Sequence, residues 1–399
     1  MPLEVVSPRQ RGFICTNAHP AGCAAAVAGQ VRRAEVPGAA EASGGKALVI
    51  GASTGYGLAS WITAAFGYRM GTLGIFLERP PAEKRTATAG YYNAAAFLRL
   101  ARERGLSAGA VNGDAFSNTV RQDVLDRVRR ELGPLDLVVY SLASPVRVHP
   151  DDGRTIRSAL KPVDQAYATR SIDLDKDRLI EVTLEPASDE EISDTIAVMG
   201  GDDLRRWVEA LLAARLLSPG ARVLAYSYIG PQLTWPIYRT GTIGLAKADL
   251  EKTVRELDRA VAEAVGGHAW TSVNTAVVTQ ASSAIPGVPL YLALIAPVLA
   301  EKGLLEHPID QILRLMRTHA GPGRTPVLDA EGRIRMDDRE MREDVQSVVG
   351  QRWRDVTPET LPALADLEGF KREFLRLFGF GVPGIDEREP VETDVPLSA

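Results

Sequence analysis

Lys46-Ala-Leu-Val-Ile50, continuing without a break into Gly51-Ala-Ser-Thr-Gly55-Tyr-Gly57-Leu-Ala-Ser-Trp61, is the stretch on which the fold turns. Its first five residues form a short apolar run without polar alternation, the pattern of a strand covered on both faces. The glycines let that strand turn tightly into a helix and let a pyrophosphate approach backbone amides at the positive helix end. Their spacing is Gly-x3-Gly-x-Gly, not the commoner Gly-x-Gly-x2-Gly, and glycine-rich turns also serve structure alone. Its place, after the first strand and before a helix, favours a dinucleotide loop.

Working outward, the same alternation recurs. Thr72-Leu-Gly-Ile-Phe-Leu77 ends in Glu78, and Ala108-Gly-Ala-Val111 leads into Asn112-Gly113-Asp114. Leu135-Asp-Leu-Val-Val-Tyr140 runs into Ser141-Leu142-Ala143-Ser144, and Arg222–Tyr226 and Ser272–Val278 complete the strand set. Helical periodicity fills the gaps, for example over Asn93–Arg104 and Asn118–Leu132. This predicts an α/β fold with a doubly wound, mostly parallel, Rossmann-like sheet. Glu78 stands where an acid accepts from the adenosine ribose hydroxyls and repels a 2′-phosphate, which predicts NADH over NADPH; Arg79 beside it would instead attract that phosphate. Asp114 and Ser141–Ser144 occupy positions that flank the adenine and nicotinamide ribose in such sheets, although Asp114 also reads as a helix N-cap.

The 399-residue chain is 45% hydrophobic and 24% charged with a formal net charge of −5. That charge favours neither nucleic acid nor an anionic membrane as partner, so a bound phosphate is expected to rely on local amides. The only cysteines, Cys15 and Cys23, and five scattered histidines give no metal-ligand spacing, so buried free thiols and no metal are expected. Gly12–Val31 faintly resembles a signal peptide but is interrupted by Asn17, His19 and Pro20. Val265–Ala300 lacks charge but carries Asn274, Gln280 and three prolines, which suits a buried strand and helix near a greasy ligand better than a membrane span. A cytoplasmic location is expected. The long connection between Tyr140 and Arg222 reads as an elaboration around the sheet. The expected organisation is one reductase domain over 1–399, with 145–221 and 280–325 as substrate-side elaborations and 387–399 as a loosely held tail.

After the fifth strand come Tyr226-Ser-Tyr228, then Trp235-Pro-Ile-Tyr238, Gly241 and Lys247. Short-chain reductases place tyrosine and lysine one turn apart. Here the separation is nine residues, about 180° round and roughly 13 Å along a regular helix. Both side chains reach one cofactor only if Tyr238 lies on an irregular lead-in, which Pro236 and Gly241 allow, with Lys247 on the helix proper.

The Tyr238…Lys247 pair resembles the signature of the FabV-type enoyl reductases and the related trans-2-enoyl-CoA reductases. The resemblance runs through Arg11–Pro20, Gly51–Gly57, Gly90-Tyr-Tyr-Asn93, Asn112–Ser117, Tyr140–Arg147, Val278–Pro286 and Met341–Gln346, nearly the whole chain. It implies that Tyr238 is the proton donor, that Tyr228 binds the substrate thioester carbonyl, and that Lys247 holds the cofactor. It also implies cofactor contacts from Gly51, Ala52, Ser53, Thr54, Gly55, Tyr56, Leu77, Glu78, Asp114, Ala115, Leu142, Ala143, Val277, Val278 and Thr279. Gly90-Tyr91-Tyr92-Asn93 has tyrosine where tryptophan is common, and Thr275 stands where lysine is frequent.

The resemblance implies NADH-dependent reduction of the trans-2 double bond of an enoyl thioester carried on CoA or acyl carrier protein, by a monomer. A phenol hydrogen bond would stabilise the developing oxyanion, and Lys247 is expected to lower the phenol's proton affinity. Ala281–Ala300 would cover the acyl chain. Two other readings are a carbonyl reductase of short-chain type and a non-catalytic NADH-sensing module. The first expects the one-turn spacing; the second leaves the tyrosines and Lys247 without a role.

Overall fold

The computed structural model describes residues 3–35, 44–83, 85–142 and 144–397. The two-residue strands β1 (Gln10–Arg11) and β2 (Ile14–Cys15) form a hairpin that leads into helix α1 (Pro20–Ala34). Strands and helices then alternate: β3 (Lys46–Ile50), α2 (Gly55–Ile62), β4 (Gly71–Phe76), α3 (Ala89–Glu103), β5 (Ala108–Asn112), α4 (Asn118–Arg127) and β6 (Leu135–Tyr140). An elaboration follows, with hairpins β7 (Val146–Val148) to β8 (Thr155–Arg157) and β9 (Tyr167–Asp173) to β10 (Arg178–Leu184), then α5 (Asp189–Met199) and α6 (Asp202–Ala213). The second half continues through β11 (Leu217–Ser227), α7 (Trp235–Tyr238), α8 (Thr242–Val265), β12 (His268–Val273), α9 (Gln280–Ser283), α10 (Val288–Glu301) and α11 (Pro308–Leu315). β13 (Arg333–Arg335), α12 (Glu343–Asp355), α13 (Leu361–Leu364) and α14 (Leu367–Arg376) complete it.

Among the described residues the central sheet has seven strands, all parallel, in the order β13-β12-β11-β6-β3-β4-β5. The chain winds one way from β3 to β5 and the other way from β6 to β13, so the switch point lies between β3 and β6. The unalternating strands are buried on both faces, as their composition requires. One face is covered by Leu125 of α4, Trp207 and Leu211 of α6, and Leu250 and Leu257 of α8. The other is covered by Val27 of α1, Trp61 of α2, Phe97 of α3 and Ile312 of α11. Trp61 stacks on Phe97 with centroids 3.7 Å apart and donates its indole N–H to Thr72 Oγ1 at 3.0 Å. A third apolar cluster gathers α10, α12 and α14 beside the sheet.

The elaboration is tied to the sheet by buried charge. Arg121 of α4 pairs with Asp203 of α6 at 2.7 Å, and the Tyr140 phenol donates to the same carboxylate at 3.1 Å. Within the elaboration, the buried Arg147 pairs with Asp202 at 2.6 Å. Both cysteines are buried free thiols, and no described helix is long and apolar enough to cross a membrane.

Three expectations change. The strand expected over Ser272–Val278 ends at Val273, where its partner β13 also ends. Beyond it the amides of Thr275 and Ala276 go to the side chains of Gln311 and Glu340 at 3.0 and 2.7 Å instead of to a ladder. The 387–399 segment is not loose over its described part. Val391 exchanges both backbone hydrogen bonds with Glu4, the Tyr92 phenol donates to Thr393 O at 2.8 Å, and Leu397 N donates to the Tyr91 phenol at 3.2 Å. Those bonds also explain why α3 begins at Ala89, ahead of the expected Asn93: its first turn is packed under that segment.

Candidate active site

The chain leaves β3 at Gly51, whose φ of +87° is left-handed and whose Cβ position lies 2.4 Å from Ser141 O, so only glycine fits. The amides of Gly51 and Ala52 both donate to Ile75 O at 2.9 Å, fixing the loop to the end of β4. Thr54, at the N-cap of α2, makes no side-chain cap bond, which leaves the first amides of that helix available to a phosphate. Ser53 Oγ donates to Glu78 Oε1 at 2.7 Å, and Asn93 Nδ2 to Ser53 O at 3.1 Å. The Glu78 backbone is clamped by the Asn112 amide through two 2.8 Å bonds. Glu78 is therefore a fixed acid at the loop rather than a solvated one, with Leu77 70% exposed beside it.

Asp114 Oδ1 accepts from Phe116 N at 3.0 Å, while Ser117 is the cap of α4, so the N-cap alternative for Asp114 does not hold. Ala115 is buried and its carbonyl accepts from Trp207 Nε1 at 3.1 Å. Leu142 follows β6, with its amide 3.1 Å from the Cβ position of Gly51; Ala143 lies outside the described residues. After β12, Val277 O accepts from Ser282 Oγ at 2.9 Å, and Thr279 caps α9 with its methyl 4.0 Å from the Cβ position of Gly55. Val278 packs toward the third apolar cluster. These residues share the carboxyl edge of the sheet, around its switch point. Tyr56 spans the two halves by donating to Thr275 O at 2.6 Å.

The tyrosines sort by neighbour. Tyr226 contacts Ser60 Oγ on α2 at 2.6 Å and so faces the cofactor-loop helix. Tyr228, just past β11, packs edge-on against Tyr238 with centroids 4.7 Å apart and planes at 86°. Tyr238 ends the single turn α7, the chain breaks at Arg239–Thr240, and α8 starts after Gly241 with Lys247 on it. This is the irregular lead-in that the nine-residue spacing demands. A Cβ on Gly241 would lie 2.5 Å from Pro236 O and 2.8 Å from Lys161 O, so the break also needs glycine. The elaboration braces it, since Thr242 N donates to Lys161 O at 3.0 Å.

Tyr238 is buried, and its hydroxyl has no hydrogen-bond partner among the described residues. Burial, then the Glu340 carboxyl, pushes its pKa up from the ordinary phenol value. The expectation that Lys247 lowers this phenol's proton affinity is not met. The ammonium instead turns to Tyr226 O at 3.3 Å, and burial, opposed by Glu251, brings Lys247 down to about 8. Glu251, one turn along α8, accepts from Ser227 Oγ at 3.1 Å and pairs with Arg333 of β13 at 3.3 Å.

Sequence reasoning missed Glu340. It is buried, 112 residues from Tyr228, and lies between the phenols of Tyr228 (2.9 Å) and Tyr291 (2.7 Å). In Arg339-Glu340-Met341-Arg342 it reads as one more surface acid, and no local signal marks it. Among the described residues no three His, Cys, Asp or Glu side chains are grouped to hold a metal.

A buried phenol with a free hydroxyl, just ahead of the helix that carries Lys247, and the amide-lined turn of a doubly wound sheet together define a dinucleotide-dependent reductase of the extended short-chain type. Three family models tile the chain: NAD(P)H binding domain of trans-2-enoyl-CoA reductase over 5–83, trans-2-enoyl-CoA reductase catalytic region over 85–320, and enoyl reductase FAD binding domain over 328–391. An enoyl-acyl-carrier-protein reductase (NADH) from Opitutus terrae is 49% identical over 98% of this chain and all of its own, and one from Edwardsiella ictaluri is 51% identical over 98% of each. The trans-2-enoyl-CoA reductase of Clostridium acetobutulicum, solved with NADH, is 37% identical with a TM-score of 0.94 over 98% of each chain. That of Treponema denticola, solved with NAD, is 42% identical with a TM-score of 0.93 over 97% of this chain and 98% of its own. The chain belongs to the trans-2-enoyl-CoA reductase family.

The flavin named for residues 328–391 does not fit the side chains there. The first turns of α12 and α14 carry Glu343, Asp344 and Glu368, which repel a diphosphate, and their interior is filled by Val345, Val349, Phe370 and Phe374. That segment instead adds β13 to the sheet and Glu340 to the site.

Proposed function

We propose that this chain carries out an NADH-dependent reduction of the trans-2 double bond of an enoyl thioester, with Tyr238 as proton donor, Tyr228 as the ligand of the thioester carbonyl and Lys247 on the cofactor. The observation that carries the reading is the pair Tyr228–Tyr238: a half-buried and a buried phenol edge to face, the first anchored on Glu340 and the second with a free hydroxyl. The Gly51–Tyr56 loop, Leu77, Glu78, Asp114, Ala115, Leu142, Ala143 and Val277–Thr279 would hold the dinucleotide. NADH, when bound, supplies the hydride. The protein's part is then electrostatic: a phenol hydrogen bond to the thioester oxygen stabilises the charge that accumulates there, and Tyr238 delivers a proton to Cα. Burial holds the Tyr238 proton in place until that charge develops.

The same reading takes the chain as one cytoplasmic reductase domain, working as a monomer on CoA or acyl-carrier-protein thioesters. Its support is that all three family segments contribute strands to one sheet. Apolar α10, buried over most of its length, supplies Tyr291 and would wall the acyl chain; α11 packs behind α2 and would not. The test is oxidation of NADH by the purified protein with crotonyl-CoA, with NADPH in parallel. Crotonyl-dependent consumption of NADH, with NADPH much the poorer, is the expected result. NADH binding without consumption on crotonyl-CoA, a longer enoyl-CoA or an enoyl carrier protein would refute it.

A further inference from the structure

The carboxyl of Glu340 is surrounded by donors, and counting their protons leaves one to place. Oε2 accepts the amide of Ala276 at 2.7 Å. Oε1 meets the phenols of Tyr291 at 2.7 Å and Tyr228 at 2.9 Å. Gln346 spends its two amide protons on Tyr291 Oη at 3.1 Å and Glu340 O at 2.7 Å. Tyr291 therefore already accepts a proton, and its own O–H is the one directed at Glu340. Only the contact with Tyr228 can take its proton from either side.

The two placements differ in what they leave for a substrate. With Glu340 as a carboxylate, Tyr228 must give its single O–H inward, and its oxygen then offers only lone pairs. A thioester carbonyl is also an acceptor, so that arrangement cannot bind it. We propose that Glu340 is the positioning residue for Tyr228: held as a carboxylic acid, it donates to the phenol oxygen and turns the Tyr228 O–H toward the thioester carbonyl. This rests on Tyr228 being the carbonyl ligand.

The surroundings favour the acid. The titratable groups that face Glu340 are Tyr56 on α2, Tyr228 after β11, Tyr238 on α7, Tyr291 on α10 and Asp337 after β13. No cation pairs with it among the described residues, and the nearby Asp337 is itself paired with Arg335 at 2.7 Å. Burial pushes Glu340 up to about 7, with Asp337 acting in the same direction and the bonds from Ala276, Tyr291 and Tyr228 opposing. The binding-competent acid is thus present below about 7 and lost as pH rises through it. C-terminal residues 328–391 would accordingly serve the reaction through a proton on Glu340 rather than through a flavin.

The experiment measures kcat/KM for crotonyl-CoA against pH at saturating NADH for wild type, Glu340→Gln and Tyr228→Phe. NADH fluorescence titration checks that each variant is folded. In the wild type kcat/KM should fall above about 7, approaching about tenfold per pH unit. Glu340→Gln, whose amide donates to Tyr228 at every pH, should have a reduced kcat/KM with no such fall. A wild-type profile flat through about 7 overturns the proposal without any variant, and so does a Gln variant that keeps the wild-type fall. Should Glu340→Gln fail to bind NADH, the wild-type profile decides alone. Tyr228→Phe with undiminished kcat/KM would instead remove Tyr228 as carbonyl ligand, which separates failure of that reading from failure of this one.

Discussion

Where β3 turns into α2, the groups offered to a ligand are main-chain amides; across the site, between α7 and Glu340, they are phenols, an amine and a carboxyl. The first set carries no titrating proton and is fixed by the fold, since Gly51 is pinned against Ser141 and Ile75. The second set is wholly or partly buried, and desolvation has moved every member: Lys247 down to about 8, Glu340 up to about 7, and Tyr228 and Tyr238 above the ordinary phenol value. In the proposed reaction, holding the dinucleotide is thus mainly a matter of shape, and reducing the thioester a matter of proton placement. Lys247 stands between the two, a titrating group to which the proposed reading gives the task of holding the cofactor.

That contrast is open to attack at three points. Tyr238→Phe should have the largest effect, lowering kcat by about 10²–10⁴-fold while NADH affinity, read by fluorescence, stays unchanged. Wild-type-like turnover would break the assignment of proton transfer to that side. Next comes Lys247. Its ammonium is complete below about 8 and is lost as pH rises through it, so NADH affinity should weaken on the alkaline side. Lys247→Met should weaken it roughly tenfold below about 8, with the difference closing above it, and abolish the trend; an unchanged alkaline trend in that variant would place the titrating group elsewhere. The smallest effect is expected at Glu78, on the amide side. Glu78→Gln should relax the preference for NADH over NADPH by a few-fold, up to about tenfold, with kcat for crotonyl-CoA unchanged. No change in the NADPH-to-NADH ratio would mean that the acid at the end of β4 does not read the ribose.

The same division governs how much could be read before the structure. The amide side is local: β3, the Gly51 turn, α2 and the acid after β4 fall within about 35 consecutive residues, and strand period plus glycine spacing exposes them. The Tyr238–Gly241–Lys247 break was also legible, because nine residues on a regular helix put the side chains on opposite faces. The rest was hidden by distance. Glu340 meets Tyr228 across 112 residues, and nothing in an arginine-flanked acid announces burial. Thr275-Ala-Val-Val278 has the β-branched composition of a strand, yet β13 stops at Arg335 and leaves it no partner. The 387–399 segment reads as loosely held, but four of its backbone groups are taken by Glu4 and by the phenols of Tyr91 and Tyr92.

Glu251 acts as a mechanical joint. It joins the end of β11, where Ser227 precedes Tyr228, to α8, which carries Lys247, and to β13, seven residues before Glu340. Three members of a frame meet there at a single pin. Such a frame holds its angles only while the pin is tight, and slack at the joint lets every member swing at once. A displacement of about 1 Å in a reacting geometry costs on the order of 10²-fold in rate. Damage at this carboxylate, which lies outside the proposed set of reacting groups, would therefore register as a fault in the chemistry.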